Sequence, residues 1–342
     1  SHELKEFKEH EGKSFNPAKI IFLTIFNFMT TLLVGKQYDT ESELFMKLVE
    51  FEGEVRTPIN PVGKGVELDI FPWLKYFGHP AYKKMQSLVQ TKDDLWRIVN
   101  RDQDGESCFA TALCTAQEES VDRDGANCLT DKHLMMPTID MLLAGTSSTV
   151  NTFYCYLNII SHHPDIQTRI QEEVDQFVGR HRQITPDDKR RLPYTQAVML
   201  ELLRYTSVSA FTILHRVLKN TTISGKKVSA GAILLANLWA LHHDHSFWDA
   251  PYDFRPERFL EADGSVVSPS HVNRHLLPFG AGPRVCVGEI LAKTRLFLMV
   301  AHLAQCCTVS PGNVKSAYDP REYPVSMFLS PKKYEVIVQM RQ

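Results

Sequence analysis

The ten residues Phe279-Gly280-Ala281-Gly282-Pro283-Arg284-Val285-Cys286-Val287-Gly288 place one thiol at the end of a glycine- and proline-rich turn. Beyond it, Ile290, Leu291, Phe297, Leu298 and Ala301 recur close to helical spacing, so the turn runs into a long amphipathic helix. A cysteine at or just before a helix N-terminus is favoured as thiolate by the free N–H groups and the helix dipole. Gly280, Gly282 and Gly288 let the backbone approach something large and flat, and Arg284 can pair with an anionic group on it. A thiolate, a glycine-lined approach and a nearby guanidinium suit an iron porphyrin, with sulfur on iron and arginine on a propionate. The competing reading is a buried structural cysteine beside a turn.

Two further segments carry chemistry-bearing residues. Glu201 and Arg204 lie three apart on one helical face and can form an ion pair. Taken alone this is a solvated surface pair, but Val198, Met199, Leu200, Leu202 and Leu203 make the helix strongly apolar. A buried pair would need a third partner, and Arg258 of Pro256-Glu257-Arg258-Phe259 is the candidate. The cluster His242-His243-Asp244-His245 reads as a loop end rather than a metal site, because consecutive histidines cannot readily face one ion. Asn220-Thr221-Thr222 matches a glycosylation acceptor, which a chain in a reducing compartment would not use.

The elements that must hold these residues are mostly helical. The chain has 342 residues, 43% apolar and 23% charged, with net charge −2, enough for a large core and without the basic surplus of a nucleic-acid binder. Seven scattered cysteines point to thiols in a reducing compartment rather than to a disulfide framework. Ile20 to Val34 is apolar but short for a membrane span and reads as a core helix. Helices in the first third break at Pro58-Ile59-Asn60-Pro61 and around Phe71-Pro72-Trp73, and Asn100 to Asn127 is polar with a helix-like middle and a mobile Asp122–Gly125 end. A long helix from His133 to Ser161 carries Ala144-Gly145-Thr146-Ser147-Ser148-Thr149 in its middle. Pro164 to Val178 reads as a surface helix with Glu172, Glu173 and Asp175 on the wet side. A short helix opens at Pro186 and another spans Thr195 to Tyr205. Residues 211 to 238 suggest a small β-region, Trp248 to Phe259 a meander, and the last forty residues short strands.

The Glu-x-x-Arg pair, the Pro-Glu-Arg-Phe meander and the cysteine loop, in this order and spacing, resemble the cytochrome P450 family over essentially the whole chain. Asp69-Ile70-Phe71-Pro72-Trp73-Leu74, Asn237 to His243, Leu277 to Arg284 and Gly288 to Ala292 are similar to its animal microsomal branch, most of all the steroid 17α-hydroxylase/17,20-lyase group. The resemblance implies a mainly α fold with small β-sheets, residues 1–342 forming a single domain. It implies haem b (iron protoporphyrin IX) on Cys286, and Glu201, Arg204 and Arg258 as a structural triad. It further implies propionate contacts from Arg284 and His215, the latter a better match than Arg216, and a haem loop built by Phe279, Gly280, Gly282 and Gly288.

On the long helix, Ala144 and Gly145 would open a pocket for dioxygen. The family's usual acid and threonine are replaced by Ser147 and Ser148, with Thr149 next, so a hydroxyl relay remains and the acid is missing. Met141, Leu142, Val208, Ala210, Phe211, Val325 and Met327 match substrate-recognition segments. The implied activity is a monooxygenase acting on a hydrophobic small molecule, a steroid being one candidate, with electrons from NADPH through NADPH–cytochrome P450 reductase and cytochrome b5 as a further donor. The implied location is the cytosolic face of the endoplasmic reticulum membrane. Two other readings stay open: a haem-thiolate isomerase or dehydratase, motivated by Ser147, and a truncated haem-binding remnant without activity. The family pattern carries roughly 140 further residues ahead of Ser1, with the membrane anchor and first helices, so the chain is expected to be N-terminally truncated.

Overall fold

The computed structural model describes residues 2–55, 68, 71–101, 108–120, 129–267, 274–313, 317–322, 329 and 331–341. In chain order the elements are α1 (His2–Glu9), β1 (Ser14–Phe15), α2 (Ala18–Val34), α3 (Glu43–Val55), α4 (Pro80–Arg101), α5 (Phe109–Glu119), α6 (Asp131–His162), α7 (Pro164–Phe177) and α8 (Pro193–Thr206). There follow β2 (His215–Arg216), β3 (Thr221–Ile223), β4 (Lys226–Val228), β5 (Ile233–Leu234), α9 (Leu238–His242), α10 (Glu289–Cys306), β6 (Cys307–Pro311) and β7 (Val336–Met340). Helix dominates and the sheets are small, the class expected from the sequence. The predicted break at Pro58 to Pro61 and the Asp122 to Gly125 end of the polar segment lie outside the described residues. Two compact units form, one of Ser1–Pro164, Cys306–Ala317 and Lys332–Gln342, the other of Asp165–Gln305 and Tyr318–Pro331.

In the first unit α2 packs along α6. The interior of α2 is apolar, with Ile21, Ile25, Phe26, Met29 and Leu33 buried. Its one amide, Asn27, is used rather than stranded: its side chain donates to Tyr38 O (2.8 Å) and accepts from Tyr38 N–H (2.7 Å), fixing the chain that leaves the helix. Gly35, at φ 78°, closes α2 in the left-handed conformation, its N–H donating to Thr31 O. Among the described residues no helix is long and apolar enough to cross a membrane. Thr130 caps α6, its backbone N–H donating to His133 Nδ1 at 2.9 Å. A three-stranded antiparallel sheet in the order β1-β7-β6 completes the unit, with Ser14 opposite Ile337 and Cys307 opposite Met340.

In the second unit α8 is the organising element. Pro193 supplies a first-turn residue with no N–H to satisfy. The Glu173 carboxylate then accepts from Tyr194 N–H (2.7 Å) and Thr195 N–H (2.9 Å). Glu173, expected on the wet face of α7, is therefore half-buried as the cap of α8, where a negative charge is favoured by the dipole. One face of α8 buries Ala197 with Trp248, Phe259 and Leu276. The β-region resolves into two pairs, β2 with β5 and β3 with β4, and a bridge from Phe211 to Asn237.

Candidate haem-thiolate loop and its buried support

The buried support begins on α8. Glu201 and Arg204 are both 0% exposed, and Arg204 Nε and Nη2 donate to Glu201 Oε2 (2.7 Å) and Oε1 (2.9 Å). Arg258 Nε adds a bond to Oε1 at 3.1 Å, and the Arg255 backbone N–H another at 2.8 Å. The remaining guanidinium donors point to carbonyls. Arg204 Nη1 donates to His242 O (2.8 Å) and Pro251 O (2.9 Å), and Arg258 donates to Asp249 O, Ala250 O and Asp253 O. Every partner sits in the meander or at the end of α9, so the cluster staples these segments to α8. Burial outweighs the attraction of Glu201 at Arg258 and holds that guanidinium below its usual range.

The cysteine loop leaves this support at Leu276. Its backbone is cross-tied: Gly280 N–H donates to Leu277 O (3.0 Å), Cys286 N–H to Phe279 O (2.9 Å), and Glu289 N–H to Cys286 O (3.3 Å). Gly280 and Gly282 sit at φ 77° and 74°, the left-handed region that glycine enters without cost, and a Cβ on either would meet open space. Cys286 is exposed, which removes the buried structural alternative. Its neighbours Val287 and Ile290 are 98% and 83% exposed, Val285 and Arg284 are exposed too, and Lys293 stands 5.3 Å from the Phe279 ring centroid. Ile290, expected to begin the buried stripe of α10, is instead part of this bare apolar rim. A surface-directed sulfur, a small-residue backbone, bare aliphatic side chains and one guanidinium together fit a flat apolar group with an anionic edge, as iron protoporphyrin is.

Other expected residues fall as follows. His215 lies on β2, exposed, with Nδ1 2.6 Å from Ile213 O. On α6, Ser147 and Ser148 donate to Leu143 O (3.1 Å) and Ala144 O (2.8 Å), the back-bonding common to hydroxyls within helices. Thr149 is buried and Ala144 is exposed. Gly145 has a packing reason that the oxygen-pocket reading did not anticipate: a Cβ there would lie 2.7 Å from Met29 Cε and 3.0 Å from its sulfur. Of the substrate candidates, Met141 and Phe211 are partly exposed and Val208 and Ala210 buried. Leu142 is buried as well, at 1% exposure. Val325 and Met327 lie outside the described residues.

His242 and His243 overturn the loop-end reading of their cluster. His242 is the last residue of α9, fully buried, with hydrogen bonds to Ser207 and to the backbone of Leu277. His243 stacks on Trp239 and Tyr252. The sequence held a signal for this: His242 follows Leu238 by one helical turn and shares its buried face.

Comparison with known proteins agrees with this geometry. The Cytochrome P450 family profile matches residues 2–338. The chain is 31% identical over 330 residues to steroid 17-alpha-hydroxylase/17,20 lyase of Squalus acanthias, covering 92% of this chain and 63% of that protein. It is 29% identical over 315 residues to cytochrome P450 2U1 of Homo sapiens, covering 88% and 55%. A zebra fish cytochrome P450 solved with progesterone superposes with a TM-score of 0.81 at 27% identity, covering 98% of this chain and 74% of that one. The chain thus spans less than two thirds of the length of these two curated relatives. With the family profile matched over residues 2–338 and the cysteine loop standing beside its buried Glu-Arg-Arg cluster, the chain belongs to the cytochrome P450 family.

Proposed function

We propose that the chain carries the haem-thiolate centre of a monooxygenase that inserts one oxygen atom of O2 into a hydrophobic substrate, a steroid first among candidates. The observation that carries this reading is Cys286, exposed on a cross-tied glycine loop with a bare apolar rim. Iron protoporphyrin, when bound, would supply the oxygen chemistry. The residues of the chain do the rest. Cys286 would hold the haem iron through its sulfur, Arg284 and His215 would take the propionates, and Gly280, Gly282 and Gly288 would let the backbone lie close. Ser148, whose proton is committed to Ala144 O, keeps lone pairs that accept from a water and so orders a proton path. Ser147 supplies no acid, so protons come through water from solvent.

Met141, Phe211, Val208 and Ala210 are the substrate-facing candidates. Steroids are favoured because relatives bear that name and one solved neighbour holds progesterone. Electrons would come from NADPH through a reductase, with cytochrome b5 as a second donor, at the cytosolic face of the endoplasmic reticulum membrane. A reduced, carbon-monoxide difference spectrum of the purified chain tests the reading. A strongly red-shifted Soret band that Cys286→Ser abolishes supports it, and a band that the substitution leaves unchanged refutes it. Ser147 in place of an acid favours a second reading, an isomerase or dehydratase, which turnover without NADPH and reductase would establish.

A further inference from the structure

We infer that His242 is a positioning residue for Cys286, its neutral ring pinning the start of the thiolate loop to the buried Glu201–Arg204 core. The inference deepens the haem-thiolate reading and rests on it.

The ring stands between two groups whose hydrogen-bonding roles are fixed. Leu277 N–H can only donate, and it meets His242 Nε2 at 2.9 Å, so that nitrogen carries no proton. The proton of the neutral ring is then on Nδ1, which donates to Ser207 Oγ at 2.7 Å. Ser207 in turn donates to Arg204 O at 2.8 Å, and the His242 carbonyl accepts from Arg204 Nη1 at 2.8 Å. Ser207 reaches this place because it ends α8 at φ 39°, a left-handed turn that aims its hydroxyl back along the helix. Side chain and main chain of His242 thus both end on Arg204.

From Leu277 the constraint continues to the sulfur. Leu277 O accepts from Gly280 N–H, and Phe279 O accepts from Cys286 N–H, so two backbone bonds separate the imidazole-held residue from Cys286. Leu276, one residue earlier, is buried against Ala197, Trp248 and Phe259. Packing therefore fixes where the loop begins, and the ring fixes how its first peptide is turned. Full burial holds the ring neutral, its pKa pushed down to about 3, first by desolvation and then by His243 and Arg204. A charged ring would set an N–H against the Leu277 N–H.

Three observations on the purified chain test this. In His242→Phe, which keeps shape and loses both nitrogens, hydrogen exchange at the 276–277 amides should rise on the order of 10- to 100-fold. The red-shifted fraction of the reduced carbon-monoxide spectrum should fall in favour of the unshifted band. His242→Gln, whose amide oxygen can reach the Leu277 N–H, should restore both. Wild-type exchange and spectrum in His242→Phe would overturn the inference, as would His242→Gln failing as badly as phenylalanine. Where His242→Phe does not fold, imidazole nitrogen-15 shifts of the wild-type chain decide the matter: a protonated Nδ1 and bare Nε2 support the pin, and the opposite tautomer overturns it. A wild-type chain that binds haem without a thiolate-type band would refute the ligation reading, while the exchange data would still judge the pin.

Discussion

Replacing Glu201 by glutamine keeps the shape of the side chain and removes its charge. Oε1 accepts three bonds, from Arg204 Nη2, Arg258 Nε and the Arg255 backbone, and Oε2 accepts one from Arg204 Nε. Glutamine offers one oxygen and one NH2. With the NH2 at the Oε2 corner, it opposes one donor, and at the Oε1 corner it opposes three. The better orientation still turns one accepted bond into a donor–donor contact and leaves two buried guanidinium groups without the carboxylate between them. Breaking a buried pair by removing one partner costs about 3–5 kcal/mol. The carbonyl partners of both arginines survive, which places the cost near the lower end, about 3 kcal/mol, against a total stability on the order of 5–15 kcal/mol. With a urea slope of about 1–3 kcal/mol per molar, the midpoint should fall by roughly 1–3 M. Fluorescence is the suitable probe, because Trp248 packs on Phe259 and lies 5.3 Å from the Arg204 guanidinium carbon. A midpoint unchanged within about 0.3 M would show that the carboxylate charge is not what holds the cluster.

The two buried histidines predict a loss of stability in mild acid. Their pKa values are pushed down to about 3 at His242 and about 4 at His243, chiefly by desolvation. The fold keeps both neutral while the unfolded chain takes up protons below about 6.5, so their contribution is complete above that pH and is lost as pH falls through it. Between pH 7 and 5 each should cost about 2 kcal/mol, and His242→Gln should flatten that slope in pH-dependent urea unfolding. Gly145→Ala should change stability by less than about 1 kcal/mol, because the added methyl meets only the flexible thioether end of Met29, whose shift offsets the helical preference for alanine. A loss of more than about 2 kcal/mol in urea unfolding would show that the Met29 side chain cannot move aside.

What could be read from the sequence was local. The cysteine loop is ten consecutive residues, and Glu201 and Arg204 are one helical turn apart, so spacing alone places their side chains. Arg258 was found because a buried pair needs a third partner. What escaped depends on residues far away along the chain. Gly145 is small because Met29 lies against it, Glu173 is half-buried because α8 needs a cap, and His242 is a core residue because Leu277 presents an N–H to it. Ile290 fits the helical period of α10, yet period does not say what covers a residue, and this one is bare.

The central strand of the first unit has a kinetic consequence. β7 lies between β1 and β6, so residues 14 and 15 obtain their strand partner only from residues 336 and 337. On the ribosome, at about 5–20 residues per second, α2 and its apolar face would wait some tens of seconds before that sheet can close. Residues 165–305, by contrast, form an uninterrupted stretch of the second unit and emerge earlier. Residues 14 and 15 therefore leave the ribosome before residues 165–305 and pair after them. A ribosome stalled short of residue 336 would display a nascent chain in which residues 14 and 15 lack their strand partner and stay protease-sensitive however long it is held.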